Sequence, residues 1–330
     1  MKLSKLLIIL FCLCYILPAQ AKTFKIATAA PDGTFWMKQI RAGAKEIKRR
    51  TNGRVKFKFY PGGVMGSEEV TMKKIRIHQL QGAAVSNGIL ARFYPDSQIY
   101  ALPMLFNSFA EVDYVRKIFD KKIIDGLEKG GMISFGLSEG GFAYAMSTRP
   151  INKMGDLSGY KVWAPINNKQ VELTLKSIGI SPIPLNIGDV LAGLQTNLID
   201  TVTVVPIGAI ALQWHTQIKY VTNVPLMYIY ATLLVDKKEF YKISKDDQKI
   251  IKEILNKVFD RIGKQNRKDN VSAFNALANQ GIKIITPDKA ALDLWYKKGE
   301  KARDTIKSQG VMSVEAIEKI IKLLIKFRNK

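Results

Sequence analysis

The sequence predicts an α/β fold made of two lobes. Short apolar strands alternate with amphipathic helices along the chain, which is typical of a sheet covered by helices. One helical stripe is too long for a single small domain, and 330 residues favour two lobes over one. We expect residues 22–146 plus about 231–270 to form lobe I, and residues 147–230 plus about 271–330 to form lobe II.

Local patterns give the elements of the first half. Apolar residues at helical spacing indicate helices, strict alternation indicates half-buried strands, and Ser, Thr or Asp before an apolar run indicates a helix start. The predicted elements are a strand over residues 24–29, a helix after Asp32-Gly33-Thr34, a strand over 55–59, a helix capped by Ser67, and a helix with a capping box of Ser108 and Glu111.

The second half contains the long helix. A strand over residues 160–163, a helix over 169–178 and a strand over 199–205 come first. An apolar stripe then runs from Ser244 to about Gln280, which corresponds to a helix of about 50 Å. Such a length suggests a spine that braces two lobes. The alternative is two shorter helices, broken near Gly263 or Asn270.

Residues 1–21 have the pattern of a secretory signal peptide. A positively charged start precedes an apolar run over residues 6–17, and Ala19 and Ala21 supply the small residues that signal peptidase reads. The apolar run is too short for a stable membrane span, although an uncleaved anchor is the alternative. We expect export, with cleavage after Ala21.

Cysteine and histidine, which often serve in catalysis and metal binding, are scarce in this chain. Cys12 and Cys14 are the two cysteines, and both lie in the predicted signal peptide, so the exported protein has no thiol or disulfide. His78 and His215 are far apart in sequence, and no hydrolase, metalloprotease or nucleotide-binding motif is present. We expect no catalytic residue, metal or cofactor. A binding protein is favoured, and an exported enzyme is the weaker alternative.

The chain is strongly basic, with 51 basic and 28 acidic side chains and a formal net charge of +23. Such an excess suits nucleic acid or an anionic membrane surface. However, the lysines are spread through every segment, mostly on what look like solvated helix faces. Together with export, this distribution predicts no nucleic-acid partner.

Four segments carry a resemblance to a known family. They are TNGRVKFKFYPGGVMGSEE at residues 51–69, FYPD followed by ALPMLF within 93–106, DLSGYKVWAP at 156–165, and GISPIPLNIGDVLAGLQTNLID at 179–200. In order and spacing the chain resembles the substrate-binding subunits of TRAP transporters, the DctP-like extracytoplasmic solute-binding proteins of family 7. The resemblance covers essentially the whole chain after the signal.

This resemblance implies a periplasmic-binding-protein-like fold, with crossing hinge strands, a long spine helix and closure around a small-molecule solute. It also implies a periplasmic location and delivery of the solute to the small and large subunits of a TRAP membrane permease. Membrane contact would occur only through that permease, and we expect a monomer. The alternative is the binding subunit of an ABC importer or of a sensor.

Trp163 departs from the family pattern. In the family, the strand after the Gly-x-Lys step usually presents an arginine that holds the ligand carboxylate, whereas Gly159-Tyr160-Lys161 leads here to Trp163. A guanidinium offers paired donors and a fixed charge, but an indole offers one N–H and a flat apolar face. We therefore expect a largely hydrophobic or aromatic solute, with an organic acid as one candidate.

Other residues are assigned to the ligand-binding site from their positions beside these segments. Phe142 and Tyr144 alternate on a strand with Ala143, so either this pair or Ala143 faces the cleft. Trp36 has lobe packing as an alternative role, and Trp214 has a position that faces away from the cleft. His215 could hydrogen-bond or protonate a ligand acid, and an ordinary polar role is its alternative. The predicted ligand-binding residues are Trp163, Asn167, Phe142, Tyr144, Asn87, Trp36, Val205, Gln213 and Trp214, with Gln195 as a further amide.

Overall fold

The structure is a computed structural model that describes residues 21–329, the side chains of Ser86 and Met154 excepted. The predicted signal peptide therefore lies outside the described residues, apart from Ala21. The strands are β1 Lys22–Thr28, β2 Val55–Tyr60, β3 Gly82–Ser86, β4 Met132–Ser134, β5 Ser138–Ser147, β6 Trp163–Pro165, β7 Ile183–Leu185, β8 Thr201–Val204, β9 Tyr220–Asp236 and β10 Lys283–Ile285. The α-helices are α1 Phe35–Arg50, α2 Glu68–Arg76, α3 Asn87–Leu90, α4 Phe109–Lys129, α5 Lys169–Ser177, α6 Val190–Gln195, α7 Pro206–Ala211, α8 Lys237–Tyr241, α9 Lys245–Asn279, α10 Lys289–Ser308 and α11 Val314–Arg328.

Side-chain oxygens cap the helices where the sequence predicts helix starts. Each oxygen accepts a hydrogen bond from the backbone N–H three residues later, as seen for Thr34, Ser67, Ser108 and Ser244. Such a bond satisfies one of the N–H groups that the first turn leaves unpaired. The predicted helices that start at these positions are confirmed.

One predicted strand is displaced. The segment expected over residues 160–163 enters a sheet only at Trp163, which begins β6. The reason is that the backbone N–H of Lys161 donates to the side-chain carboxylate of Asp200 at 2.8 Å, and Val162 makes a single isolated bridge to Thr201. These two contacts with Asp200 and Thr201 at the start of β8 therefore replace regular strand pairing over residues 160–162.

A single mixed sheet runs through the molecule. Its strand order is β2–β1–β3–β9–β5–β8, and β4 and β10 also pair with β9. Parallel pairing joins β1 to β2 and β3, whereas β9 runs antiparallel to β3, β4 and β5. Strands β6 and β7 form a separate parallel pair. Because β9 is 17 residues long, it pairs with β3 at one end and with β10 at the other, so β9 and its neighbour β5 are the crossing strands.

The spine helix α9 is continuous over 35 residues, or about 52 Å. The predicted long helix is therefore confirmed, and the alternative of two shorter helices is wrong. Gly263 is where the helix passes close to β5, since a Cβ there would lie 3.1 Å from the backbone nitrogen of Glu139. Asn270 accepts a hydrogen bond from the N–H of Ile207 at 3.1 Å and donates to the carbonyl of Gly140. Both positions are contacts of the spine rather than breaks in it.

The C-terminal helix α11 packs against α4. Ile320 and Leu324 join the core that α4 covers, and Arg328 donates two hydrogen bonds, of 2.8 and 2.9 Å, to the carboxylate of Glu111. The sequence-based division assigns all of residues 271–330 to lobe II, and that division stays a prediction. From the contact of α11 with α4 we propose a lobe I built on β1–β4 with α1–α4 and α11, and a lobe II built on β6–β8 and β10 with α5–α7 and α10. Within residues 21–329, no helix has the length and apolar character needed to cross a membrane.

Candidate functional site

A cavity of about 910 Å³ lies between the two lobes. Its lobe I wall includes the end of β1, the loop that leads into α2, and the junction of β3 with α3. Its lobe II wall includes β6, the start of α5, the end of β8 with α7 and the residues that follow it, the segment between β7 and α6, and one face of α10. The volume is within the range of sites for small organic molecules.

Six of the nine predicted site residues line this cavity. They are Asn87, Trp163, Asn167, Val205, Gln213 and Trp214. The rings of Trp163 and Trp214 meet edge to face, with centroids 5.2 Å apart. The indole N–H of Trp163 donates to the carbonyl of Leu185 at 3.0 Å. Trp163 therefore offers the cavity an apolar ring surface, because its hydrogen-bond donor is already used.

The other three predicted residues lie outside the cavity wall. Phe142 packs against Tyr228 in the lobe I core, and Tyr144 packs against Phe274, with ring centroids 5.7 and 5.2 Å apart. Trp36 packs edge to face on the spine helix. In each case the side chain packs against a neighbouring aromatic ring, as is usual for large rings at core-facing positions.

Two further polar candidates also lie outside the wall. Nδ1 of His215 is 3.2 Å from the carbonyl oxygen of Ala209, which gives this histidine a local role. Gln195 is exposed at the end of α6 and does not line the cavity.

The two lobes touch across the mouth of the cavity. The amide of Asn167 donates to Oε1 of Glu69 at 3.2 Å, and Glu69 also pairs with Arg92. Burial alone would raise the pKa of Glu69, but the hydrogen bonds from Arg92 and Asn167 outweigh it, so this pKa lies below its ordinary value. A Cβ at Gly88 would lie only 2.8 Å from the amide nitrogen of Asn168. The described conformation is therefore closed at this rim.

Gln170 is a cavity-lining residue that sequence reasoning missed. It stands in the first turn of α5, lines the cavity and is only 2% exposed. Its amide oxygen and nitrogen are both buried, and neither has a hydrogen-bond partner among the described residues. An unsatisfied buried polar group costs about 1–3 kcal/mol. Nothing in the run Asn167-Asn168-Lys169-Gln170 shows which of its amides points inward.

Helix α10 supplies two more residues that the sequence did not reveal. Trp295 is 3% exposed, and its indole N–H has no acceptor within the described part of the chain. Lys298 stands one turn later and is the only Lys, Arg or His among the described residues that line the cavity. A possible signal was the pair of small residues Gly299 and Ala302 on the same helix, because small residues mark a close approach between elements. The acids of the wall are Glu68, Glu69 and Asp189.

The comparison with known families decides what this architecture is. The family model of the bacterial extracellular solute-binding proteins, family 7 (DctP), matches residues 26–309. The chain belongs to this family. The resemblance predicted from the sequence is therefore confirmed. Family 7 proteins bind solutes, which supports the expectation of a binding protein rather than an enzyme.

Two relatives illustrate how far the family 7 similarity extends along the chain. Protein YiiZ of Salmonella typhimurium is 24% identical over 219 residues, which are 63% of this chain and 64% of that protein. The sialic acid-binding periplasmic protein SiaP of Vibrio cholerae is 22% identical over 288 residues, which are 84% of this chain and 88% of SiaP.

A solved structure confirms the two-lobed α/β fold. The sugar acid-binding protein DctPAm of Advenella mimigardefordensis, determined in complex with galactonate, superposes with a TM-score of 0.85 at 20% identity. The match covers 93% of this chain and 99% of that one. At this level of identity the similarity concerns the fold.

Proposed function

We propose that this chain is the extracytoplasmic receptor of a TRAP-type transporter and that it captures a small organic acid between its lobes. The observation that carries the proposal is the interlobe cavity, in which the amide of Gln170 is buried and has no hydrogen-bond partner among residues 21–329. The lobes close over this cavity through Asn167 and Glu69. A bound solute with polar groups would form hydrogen bonds with the amide of Gln170. Closure of the lobes would then exclude water from the solute and this amide.

The proposed solute differs from the hydrophobic or aromatic one expected from Trp163. SiaP is a sialic acid-binding protein and DctPAm was solved with galactonate, so the relatives support a polar acid. The wall supports it as well, because amide and hydroxyl side chains such as Asn87, Gln170 and Thr203 accompany the indole rings. The exchange of an arginine for Trp163 removes one cation, but it leaves these hydrogen-bonding groups in the wall.

We further propose a monomer in the periplasm, released by cleavage after Ala21, that hands its solute to small and large permease subunits. A TRAP system is a secondary transporter, so uptake into vesicles that contain the two permease proteins should require this chain but no ATP. Uptake that depends on ATP hydrolysis would instead favour the alternative of an ABC importer.

Native mass spectrometry of protein purified from the periplasm tests the receptor function. We expect a complex of one protein with one small acid, which is released unchanged when the protein unfolds. Accumulation of a chemically altered product would favour an enzyme. A protein that carries no solute, and binds none from a periplasmic extract, would contradict the proposal.

Replacing Trp163 with alanine should weaken binding of the recovered solute by about tenfold or more, which is about 1.4 kcal/mol. The reason is that the ring forms part of the cavity wall and supports Trp214. Isothermal titration calorimetry would measure the change. The matched control is Trp36→Ala, since that ring is outside the wall and its loss should leave the affinity unchanged. Equal affinities of wild type and Trp163→Ala would show that Trp163 does not contribute to solute binding.

A further inference from the structure

Two hydrogen-bond donors for which the described residues supply no acceptor stand together on helix α10. Trp295 and Lys298 are three residues apart, so they share one face of the helix. Both line the interlobe cavity. The indole N–H of Trp295 is buried and unpaired, and Lys298, which is partly exposed, has no ion-pair partner among the described residues.

The chemistry of this pair selects its ligand. An indole N–H is a donor only, and an ammonium has three donors and no acceptor. A group that satisfies both must therefore be an acceptor, and the charge of Lys298 favours an anion. A carboxylate oxygen meets both conditions, whereas a hydroxyl or an amide would leave the charge unpaired.

Among the described residues that line the cavity, Lys298 is the cation that can bind an anion. Arg303, five residues further along α10, donates from Nη1 to the carbonyl of Pro103 at 2.6 Å and to that of Met104 at 3.3 Å, so the backbone holds its guanidinium at this nitrogen. Arg303 does not line the cavity. At the position where family members usually present an arginine, Trp163 has neither a charge nor a free donor.

We propose that the carboxylate of the solute binds to Lys298 and Trp295 on α10, and not at the strand that carries Trp163. This inference rests on the proposed function, because it concerns the orientation of the acid in the same cavity. The anionic end of the solute then lies at α10, and the remainder extends along the cavity wall toward the amide groups of α5.

The test uses three acids, each paired with a neutral counterpart, as calorimetric probes. They are sialic acid with its methyl ester, D-galactonate with D-galactonamide, and benzoate with benzamide. The wild type should bind at least one acid about tenfold or more tightly than its counterpart. Lys298→Met should abolish this preference, and Trp295→Phe, which keeps the ring but removes the N–H, should reduce it. The control Lys301→Met changes an exposed lysine of the same helix outside the wall and should have no effect.

Three results would overturn the inference. These are equal binding of acids and neutral counterparts by the wild type, an acid preference that survives in Lys298→Met, and failure of all three acids to bind. The receptor function is judged separately, by the solute found in native mass spectrometry. A protein that carries a solute but shows no effect of Lys298→Met would refute the carboxylate subsite and leave the receptor function standing.

Discussion

Replacing Gln170 with leucine is expected to weaken binding of the recovered solute by about tenfold or more while it stabilises the unliganded protein. These two effects have opposite signs because the amide is buried in the closed cavity and no described residue forms a hydrogen bond with it. Leucine is similar in volume and has no polar group to desolvate, so the free energy of unfolding without solute should rise by about 1 kcal/mol. The same substitution removes the hydrogen bonds that a polar solute would make.

Calorimetry and chemical denaturation measure the two effects of Gln170→Leu separately. The matched control is Gln195→Leu, which changes an exposed glutamine outside the cavity wall and should alter neither quantity appreciably. A purely structural role for Gln170 predicts a different pattern, in which leucine lowers the stability and leaves the affinity unchanged. That pattern would exclude Gln170 from solute binding.

Replacing Arg267 with methionine should lower the free energy of unfolding by about 3 kcal/mol. Arg267 lies on the spine helix and pairs with two carboxylates, through Nε to Glu139 at 2.9 Å and through both terminal nitrogens to Asp113 at 2.7 and 2.8 Å. Glu139 belongs to the crossing strand β5, and its side chain is only 3% exposed. Methionine would leave this buried carboxylate without its cation.

Urea denaturation of Arg267→Met provides the measurement, and two comparisons isolate the cause. Lys264→Met removes a solvent-exposed pair with Asp260 on the same helix, so it should cost less than about 1 kcal/mol. Adding Glu139→Gln to Arg267→Met should recover part of the loss, because the buried charge disappears. If Arg267→Met lowers the free energy of unfolding no more than Lys264→Met does, the ion pair of Arg267 with Glu139 does not stabilise the packing of the spine helix on β5.

Much of the fold could be predicted because its signals are local. The apolar stripe after Ser244 predicted the spine helix, and capping residues such as Thr34 predicted where helices start. The strand at residue 160 was displaced by a contact that the local pattern does not contain, the bond from Lys161 to Asp200. The packing of α11 on lobe I likewise depends on its tertiary contact with Glu111.

The site could be predicted less completely, because its residues come from segments far apart in the chain. Trp163 followed from a motif position, and it does line the cavity. Aromatic residues such as Phe142 were indistinguishable from ligand contacts by sequence, although here a core ring covers the side chain. Gln170 and Lys298 could not be recognised, since the missing partner of one and the inward position of the other depend on how α5 and α10 pack around the cavity.

Backbone hydrogen exchange with and without the recovered solute tests most directly whether the interlobe cavity captures it. We predict slower exchange on both walls, at residues 83–89 of lobe I and residues 163–171 of lobe II, and unchanged exchange in α4. Protection of both walls would show that the solute bridges the lobes. Protection confined to one lobe, or found only away from these segments, would contradict capture between the lobes.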